Sequence, residues 1–433
     1  MSTDALIKLW GTPIGAVSWV EDRGVGVFQY AKEFVRSNIQ VSPIHMPLRE
    51  APYEFGTLSK NSFKGLPGLV SDSLPDHYGN ALIDAWLAAQ GRSPQSFNPV
   101  ERLCYIGKRG MGALEFEPTL SGREKKSASI EMEQLVELAN SVLQRRGELE
   151  GALSGKDDQK NMEEILKVGT SAGGARAKAV IAWNRATNEF RSGQVEQENN
   201  FEHWLIKLDG VDGNGDHGVA DPLGFGNVEY AYSLMAKKAG IEMTECRLHK
   251  EGGRSHFMTK RFDRTDNGDK MHMQSLAALA HFDYQQPQSY SYEQCIQVMR
   301  NLGLSAVELA QQFRRTVFNV IARNQDDHVK NIAFLMDRKG KWKLSPAYDI
   351  TYAWNPEGLW TKNHQMSING KWNDIELADL IALGKYSDLK PPKIKEIIEE
   401  VKVAVSDWMS FAEAAEVHEE FAEKIKRAHR LYI

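Results

Sequence analysis

"NQDDHVKNIAFLMDRKGKWKLSPAYDI", residues 324–350, is the stretch on which the fold reading turns. It follows residues 305–323, which carry the marks of an amphipathic helix: Ser305 and Glu308 have capping-box spacing, and Leu309, Phe313, Val317 and Val320 recur at helical intervals. That helix is expected to end near Arg323, so Asp326, His328 and Asn331 fall in the loop that leaves it. After them "IAFLMD" alternates as a strand, Gly340 marks a tight turn, and "KWKLSPAYDI" returns. A helix, a polar loop and a hairpin in that order would bring Asp349 back beside Asp326 and Asn331, converging an acid, an amide and a second acid.

Such a cluster suits phosphoryl transfer, in which protein groups mainly position and neutralise phosphates. The interval from Asp326 to Asn331 matches the D-x-x-x-x-N pattern of protein-kinase catalytic loops, with one acid to orient the acceptor hydroxyl and the amide to hold Mg²⁺. Asp349 would then be the second metal ligand, since magnesium prefers hard oxygen donors and keeps part of its water shell. Alone the pattern is weak, because Asp and Asn also cap helices and make turns. A loop histidine such as His328 is more often bonded to backbone than to a ligand.

The order of the upstream segments strengthens it. "GTSAGGARAKAV" is glycine-rich and leads into an expected strand, where Gly169, Gly173 and Gly174 could let backbone amides approach phosphate. It is not G-x-x-x-x-G-K-[ST], which disfavours a Walker-type ATPase. Lys207 sits in the apolar stretch "HWLIKLD", where an unpaired buried ammonium would be costly. Glu229, one turn into the helix expected to open at Asn227, offers the acid partner, the arrangement by which kinases hold the α- and β-phosphates. "HFMTKRFDR" is read as a further strand carrying Phe262 at the place of a kinase hinge. Glycine-rich loop, strand Lys, helix Glu, hinge, helix, acid loop and metal Asp thus occur in kinase order, a joint coincidence much rarer than any one part.

The rest of the chain sets bounds. Its 433 residues favour two or three domains. A net charge of -5 gives no overall basic bias toward nucleic acid, so DNA contact would be local or made through a partner. Cys104, Cys246 and Cys295 are far apart and fit a reducing compartment; no run of about 18 apolar residues suggests a membrane span, and a cytoplasmic location is expected. No H-E-x-x-H or G-x-S-x-G points to a zinc enzyme or an acyl hydrolase. "ALIKLWGTPIGAVSWVEDRGVGVFQY" alternates as strands, "DHYGNALIDAWLAAQG" has helical spacing before Gly91, and "AKAVIAWNRATNEFRSG" reads as a hairpin. The densely charged residues 121–160, around one helix near 131–146, read as a junction. The expected division is an α+β N-terminal subdomain over 1–120, the helical junction over 121–160, the glycine-rich loop, Lys strand and hinge over 161–265, and a mainly helical catalytic part over 266–433.

Four segments, "LPGLVSDSLPDHYGNALI", "ARNQDDHVKNIAF", "LSPAYDI" and "NHQMSING", together make the chain resemble, over nearly its whole length, the HipA family of bacterial serine/threonine kinase toxins. The resemblance implies an α+β, protein-kinase-like (HipA-type) fold in which an N-terminal β-rich subdomain precedes a mainly helical C-terminal one, and it implies ATP and Mg²⁺ as cofactors. Carried over, Asp326 would be the catalytic acid, Asn331 and Asp349 the Mg²⁺ ligands and Lys207 a contact to the ATP phosphates. His328 and Tyr348 would line the nucleotide site, and Phe262 would offer mainly backbone contacts. Alignment on Lys178 puts Ser171, next to Thr170, at the family's autophosphorylated serine, where a phosphate would compete for the amides and cations that bind ATP. The chain departs from the pattern in having Asp327 after Asp326, which opens a second register for the acid, although the interval to Asn331 favours Asp326. Asp349 is followed by Ile350 and Thr351, not Phe-Gly, so activation-segment rules do not transfer. "DGVDGNGDHGVADPLGFG", residues 209–226, looks like a mobile loop.

The resemblance further implies a toxin whose target is a translation component such as glutamyl-tRNA or another aminoacyl-tRNA synthetase. It also implies a HipB-type helix-turn-helix antitoxin as partner, DNA association through that partner, and no membrane. A corepressor with a regulatory nucleotide site and a nucleotidyltransferase using the same residues are the alternative readings.

Overall fold

A computed structural model describes residues 3–120, 130–144, 176–193, 200–211, 215–216, 219–220 and 223–433. Thr170, Ser171, Gly173 and Gly174 lie outside the described residues, as do seven positions of the 209–226 stretch, namely 212–214, 217–218 and 221–222. The chain forms two compact units that interleave in sequence: Met1–Val41, Met46–Leu223 and Arg247–Met273 in the first, Ser42–His45, Gly224–Cys246 and Gln274–Ile433 in the second.

In the first unit, β1 (Asp4–Leu9), β2 (Thr12–Val20), β3 (Val25–Tyr30) and β4 (Leu114–Glu117) form an antiparallel sheet in the order β3-β2-β1-β4. The expected period-two alternation holds in β1, where Ala5, Ile7 and Leu9 are buried and Leu6 faces out. A second sheet joins β5 (Lys178–Asn184), β6 (Glu189–Ser192), β7 (Glu202–Lys207), β8 (Cys246–Glu251) and β9 (Arg254–Lys260) in the order β8-β9-β7-β5-β6. β5 is buried at every position, as a central strand covered on both faces must be. Its cover includes the helices His77–Ala89 and Met132–Gln144, whose Tyr78, Leu82, Leu135, Val136 and Ala139 pack with Ile181, Trp204 and Ile206.

One expectation needs correction here. Phe262 is not in the strand, because β9 ends at Lys260. The chain turns instead to bury Asp263, which is fully enclosed and accepts from Arg261 Nε at 2.9 Å, Arg261 Nη2 at 2.7 Å, Arg264 Nη1 at 2.9 Å and the Gly112 amide at 2.6 Å. A buried carboxylate is tolerated only when so fully satisfied, and satisfying it costs the strand its continuation.

The second unit is mainly helical. Its helix Phe225–Lys238 opens at Gly224, whose φ of +86° suits glycine, and not at Asn227. The Asn227 side chain instead donates through Nδ2 to the carbonyls of Ala415 and Glu416 at 2.8 and 3.1 Å. The expected capped helix is present as Ala306–Ile321, with a full capping box between Ser305 and Glu308. Helix Pro391–Ser406 carries both prolines in its first turn, where no amide donor is needed, and buries Ile394, Ile397, Ile398, Val401 and Val405. The expected hairpin is also present: β10 (Ala333–Met336) pairs antiparallel with β11 (Trp342–Leu344), Phe334 opposite Leu344, across a turn in which Gly340 has a φ of +81°. Contrary to the alternation read from sequence, all four residues of β10 are buried. Among the described residues no helix is long and apolar enough to cross a membrane.

Candidate active site

The hairpin returns to the capped helix because Glu308 serves both. One of its carboxylate oxygens accepts from the Ser305 amide at 2.8 Å, and the other accepts from the Leu344 amide at 2.9 Å. Arg315, buried on the same helix, donates to the Ser345 carbonyl at 2.6 Å, and the Ala347 amide donates to the Glu242 carbonyl at 2.8 Å. These bonds deliver Tyr348 and Asp349 to a set place. Tyr348 donates its hydroxyl to the Lys330 carbonyl at 2.7 Å, which ties the end of the hairpin to the acid loop. Asp349 has a φ of +55°, a left-handed conformation that Asp tolerates better than most residues and that clusters at functional positions.

The acid loop itself leaves the helix through Arg323, also left-handed at φ +58°. Arg323 donates to the Ala428 carbonyl at 2.9 Å and lies over the Trp354 ring at 4.4 Å. A single 3₁₀ turn, Val329–Asn331, then folds the loop back, so that Asn331 Nδ2 donates to the Asp326 carbonyl at 2.8 Å. This turn was not legible in the sequence, yet it is what the five-residue interval between Asp326 and Asn331 is for. The bond to the Asp326 carbonyl engages the amide nitrogen of Asn331 and leaves the acceptor capacity of its oxygen, a hard metal donor, unused by it. His328 caps the 3₁₀ turn and accepts from the Lys330 amide at Nδ1, 3.2 Å, so the neutral ring carries its proton on Nε2. Lys330 Nζ lies 4.7 Å from the centre of the Tyr284 ring.

The two consecutive acids face opposite ways. Asp326 is half-buried, and its Oδ1 accepts from Trp360 Nε1 at 2.9 Å. Asp327 is 4% exposed and accepts three bonds: from the Tyr292 hydroxyl at 2.7 Å, His364 Nδ1 at 2.8 Å and the Gln365 amide at 2.8 Å. Behind it, Asn319 Nδ2 donates to the Tyr292 oxygen at 3.0 Å, and Asn324 Nδ2 donates to Asn319 Oδ1 at 2.9 Å. Burial, and then the neighbouring Asp327 charge, push the Tyr292 hydroxyl well above its ordinary pKa, so it remains a donor. The result is a buried polar chain that anchors the acid loop from below, with Asp327 as its hub.

Of the other expected site residues, Glu229 lies in the second unit and is 2% exposed, while Lys207 and Phe262 belong to the first. Lys207 lies in β7 directly opposite Lys178 of β5 and Phe257 of β9, with its Nζ 5.9 Å from the Phe257 ring centre. Lys178 is itself only 4% exposed. Residues directly opposite on neighbouring antiparallel strands share one face of the sheet, so Lys207 and Lys178 lie on the same face. Trp360 and His364 were not singled out from the sequence, while Asp327 entered only as a second register for the acid and Lys178 only as an alignment point. The sequence signals were the doubled acid at 326–327 and the stretch "NHQMSING", neither of which discloses a contact by itself. Among the described residues no group of three or more His, Cys, Asp or Glu is placed to hold a metal ion.

Family models match the chain twice. The HipA N-terminal domain matches residues 5–117, and the HipA-like C-terminal domain matches residues 170–409. The candidate kinase Y4mE of Sinorhizobium fredii is 22% identical over 195 residues, covering 42% of this chain and only 39% of its own length. Among solved structures, HipA in the Shewanella oneidensis MR-1 toxin–antitoxin complex of HipA, HipB and operator DNA matches with a TM-score of 0.66 and 17% identity, over 98% of this chain and 95% of that one. The Helicobacter pylori proinflammatory kinase CtkA matches at a TM-score of 0.33 and 12% identity, over 54% of this chain and 89% of that one, too low to bear on the fold. With a C-terminal domain match spanning more than half of its residues, an N-terminal match before it and an α+β fold shared along nearly its full length, the chain belongs to the HipA family.

Proposed function

We propose that the chain is an ATP- and Mg²⁺-dependent protein serine/threonine kinase and the toxin of a toxin–antitoxin pair. The observation that carries this reading is the closed acid loop. Asn331 folds back on Asp326 while Asp327 turns into the core, so that Asp326 is the acid of the pair left half-exposed at the site. Asp326 would orient the acceptor hydroxyl and take its proton as the oxygen attacks phosphorus. Asn331 and Asp349 would hold Mg²⁺ through their oxygens, and bound Mg²⁺ neutralises the charge of the β- and γ-phosphates. Lys207, with Lys178 opposite it, would contact the phosphates, and Glu229 would be the supporting acid. His328 and Tyr348 would line the nucleotide site, Gly173 and Gly174 would offer backbone amides, and Phe262 would mark the hinge. Ser171 would be the autophosphorylated residue that switches the enzyme off.

Family membership supports a translation component, such as glutamyl-tRNA or another aminoacyl-tRNA synthetase, as substrate. The Shewanella relative, found with HipB and operator DNA, supports a helix-turn-helix antitoxin and DNA contact through it. The test is the intact mass of dephosphorylated protein incubated with Mg²⁺ and ATP, beside Asp326→Gln and Ser171→Ala. One added phosphate in the parent and none in either variant is the expected result. No gain in the parent refutes the kinase, and an AMP-sized gain makes the chain a nucleotidyltransferase.

A further inference from the structure

A hydrogen bond to the Asp326 side chain comes from outside its loop. Trp360 Nε1 donates to Asp326 Oδ1 at 2.9 Å across 34 residues of sequence. The residues just after Trp360 hold the next acid, because His364 Nδ1 and the Gln365 amide both bond Asp327. Gln365 Nε2 donates to the Trp360 carbonyl at 2.5 Å, closing this stretch on itself. Gln325 Nε2 donates to the Lys362 carbonyl at 3.0 Å, tying the stretch to the residue before Asp326. One short segment, residues 360–365, therefore grips two consecutive carboxylates, one half-buried and one buried.

We infer that Trp360 is the positioning residue for Asp326, setting the rotation of its carboxylate toward an incoming acceptor hydroxyl. An indole N–H only donates, so Asp326 can serve this bond only as an acceptor. A carboxylate turns broadly about its last torsion, and a directional bond to Oδ1 fixes that torsion and with it the direction of Oδ2. Trp408 offers the contrast within the same unit: it is 1% exposed and donates its indole N–H to the Ala422 carbonyl, as a core tryptophan does. Trp360 is half-buried and donates instead to a half-buried acid. The inference rests on the kinase reading of Asp326.

Trp360→Phe keeps the ring and removes the donor. In ATP-dependent phosphate incorporation, kcat is expected to fall about 10- to 100-fold with KM for ATP within about twofold, the pattern of a group that acts in the transition state alone. Leu359→Ala, at the fully exposed neighbour, is expected to leave both unchanged. An unchanged or faster rate in Trp360→Phe overturns the inference, a faster one meaning that the indole obstructs the acid. A second readout needs no turnover. The Trp360 indole N–H resonance, identified by its loss in Trp360→Phe, is expected to lie downfield and to move upfield in Asp326→Ala. If it does not move, the bond is not present in solution and the inference fails whatever the rates. If it moves but the parent incorporates no phosphate, the kinase reading fails while the positioning of Asp326 stands.

Discussion

The two neighbouring acids should separate stability from activity. Asp327→Ala removes the acceptor of three buried donors at 2.7 to 2.8 Å: the Tyr292 hydroxyl, His364 Nδ1 and the Gln365 amide. Each buried donor left without a partner costs about 1–3 kcal/mol. The terms do not simply add, because the Tyr292 hydroxyl can rotate and His364 can change tautomer, whereas the backbone amide can do neither. A net loss of about 3–5 kcal/mol follows, a large part of the roughly 5–15 kcal/mol that holds a domain folded. For a unit of this size that corresponds to a melting point lower by about 10 °C. Asp327→Asn keeps an oxygen for the Gln365 amide and can offer its NH₂ to a tautomerised His364, so it should lose only about 1–2 kcal/mol. Asp326→Ala removes the acceptor of the Trp360 indole at a half-buried position, where solvent can replace it, and should stay within about 1 kcal/mol of the parent while abolishing phosphate incorporation. Thermal unfolding followed by circular dichroism, beside intact-mass phosphorylation, reads both effects. If Asp327→Ala melts within 2 °C of the parent (about 1 kcal/mol), or Asp326→Ala is the less stable of the two, the two acids do not divide stability and activity between them.

Other expectations concern single residues. Burial alone would raise the pKa of Asp263, but the Arg261 and Arg264 charges hold it well below the usual carboxylate range. Asp263→Asn should therefore cost about 3–5 kcal/mol in urea unfolding, because two buried guanidiniums lose their counter-charge. His272 is fully buried with Nε2 3.2 Å from the Val41 carbonyl, and burial lowers its pKa from 6.5 to about 4. The unfolded chain then takes up a proton below pH 6.5 that the folded chain refuses until about pH 4. Its contribution, at most about 3 kcal/mol, is thus complete above pH 6.5 and lost as the pH falls toward 4. Urea midpoints measured from pH 7 to 4.5 should fall less steeply in His272→Gln. At Asp349, whose φ is +55°, Asp349→Gly should leave stability equal or up to about 1 kcal/mol higher while activity is lost. A clear loss of stability would mean that the carboxylate is mainly structural.

Much of this fold is written in short-range signals. The Ser305–Glu308 capping box, the helical spacing after it, the two prolines at the start of Pro391–Ser406 and the glycine at the hairpin turn each act within a few residues. The period-two pattern of β1 is equally local. The strand boundary at Lys260 is not, because it is decided by a carboxylate that needs Gly112, 151 residues away, as a donor. Nor could the start of the Phe225–Lys238 helix be read from Asn227, whose capping chemistry is diverted to the carbonyls of Ala415 and Glu416.

The acid loop shows the same divide at the scale of two residues. The interval from Asp326 to Asn331, the returning hairpin and the presence of Asp349 are properties of the sequence, since spacing and turn chemistry specify them locally. Which of two adjacent aspartates is fully buried is not, because both have the same propensities and the same intrinsic charge. That choice is made by Tyr292, His364 and Gln365, which reach Asp327 from 35 to 38 residues away and satisfy it inside the core, and by Trp360, which meets Asp326. A carboxylate is buried only where enough donors converge on it, and that convergence exists only once the chain has folded.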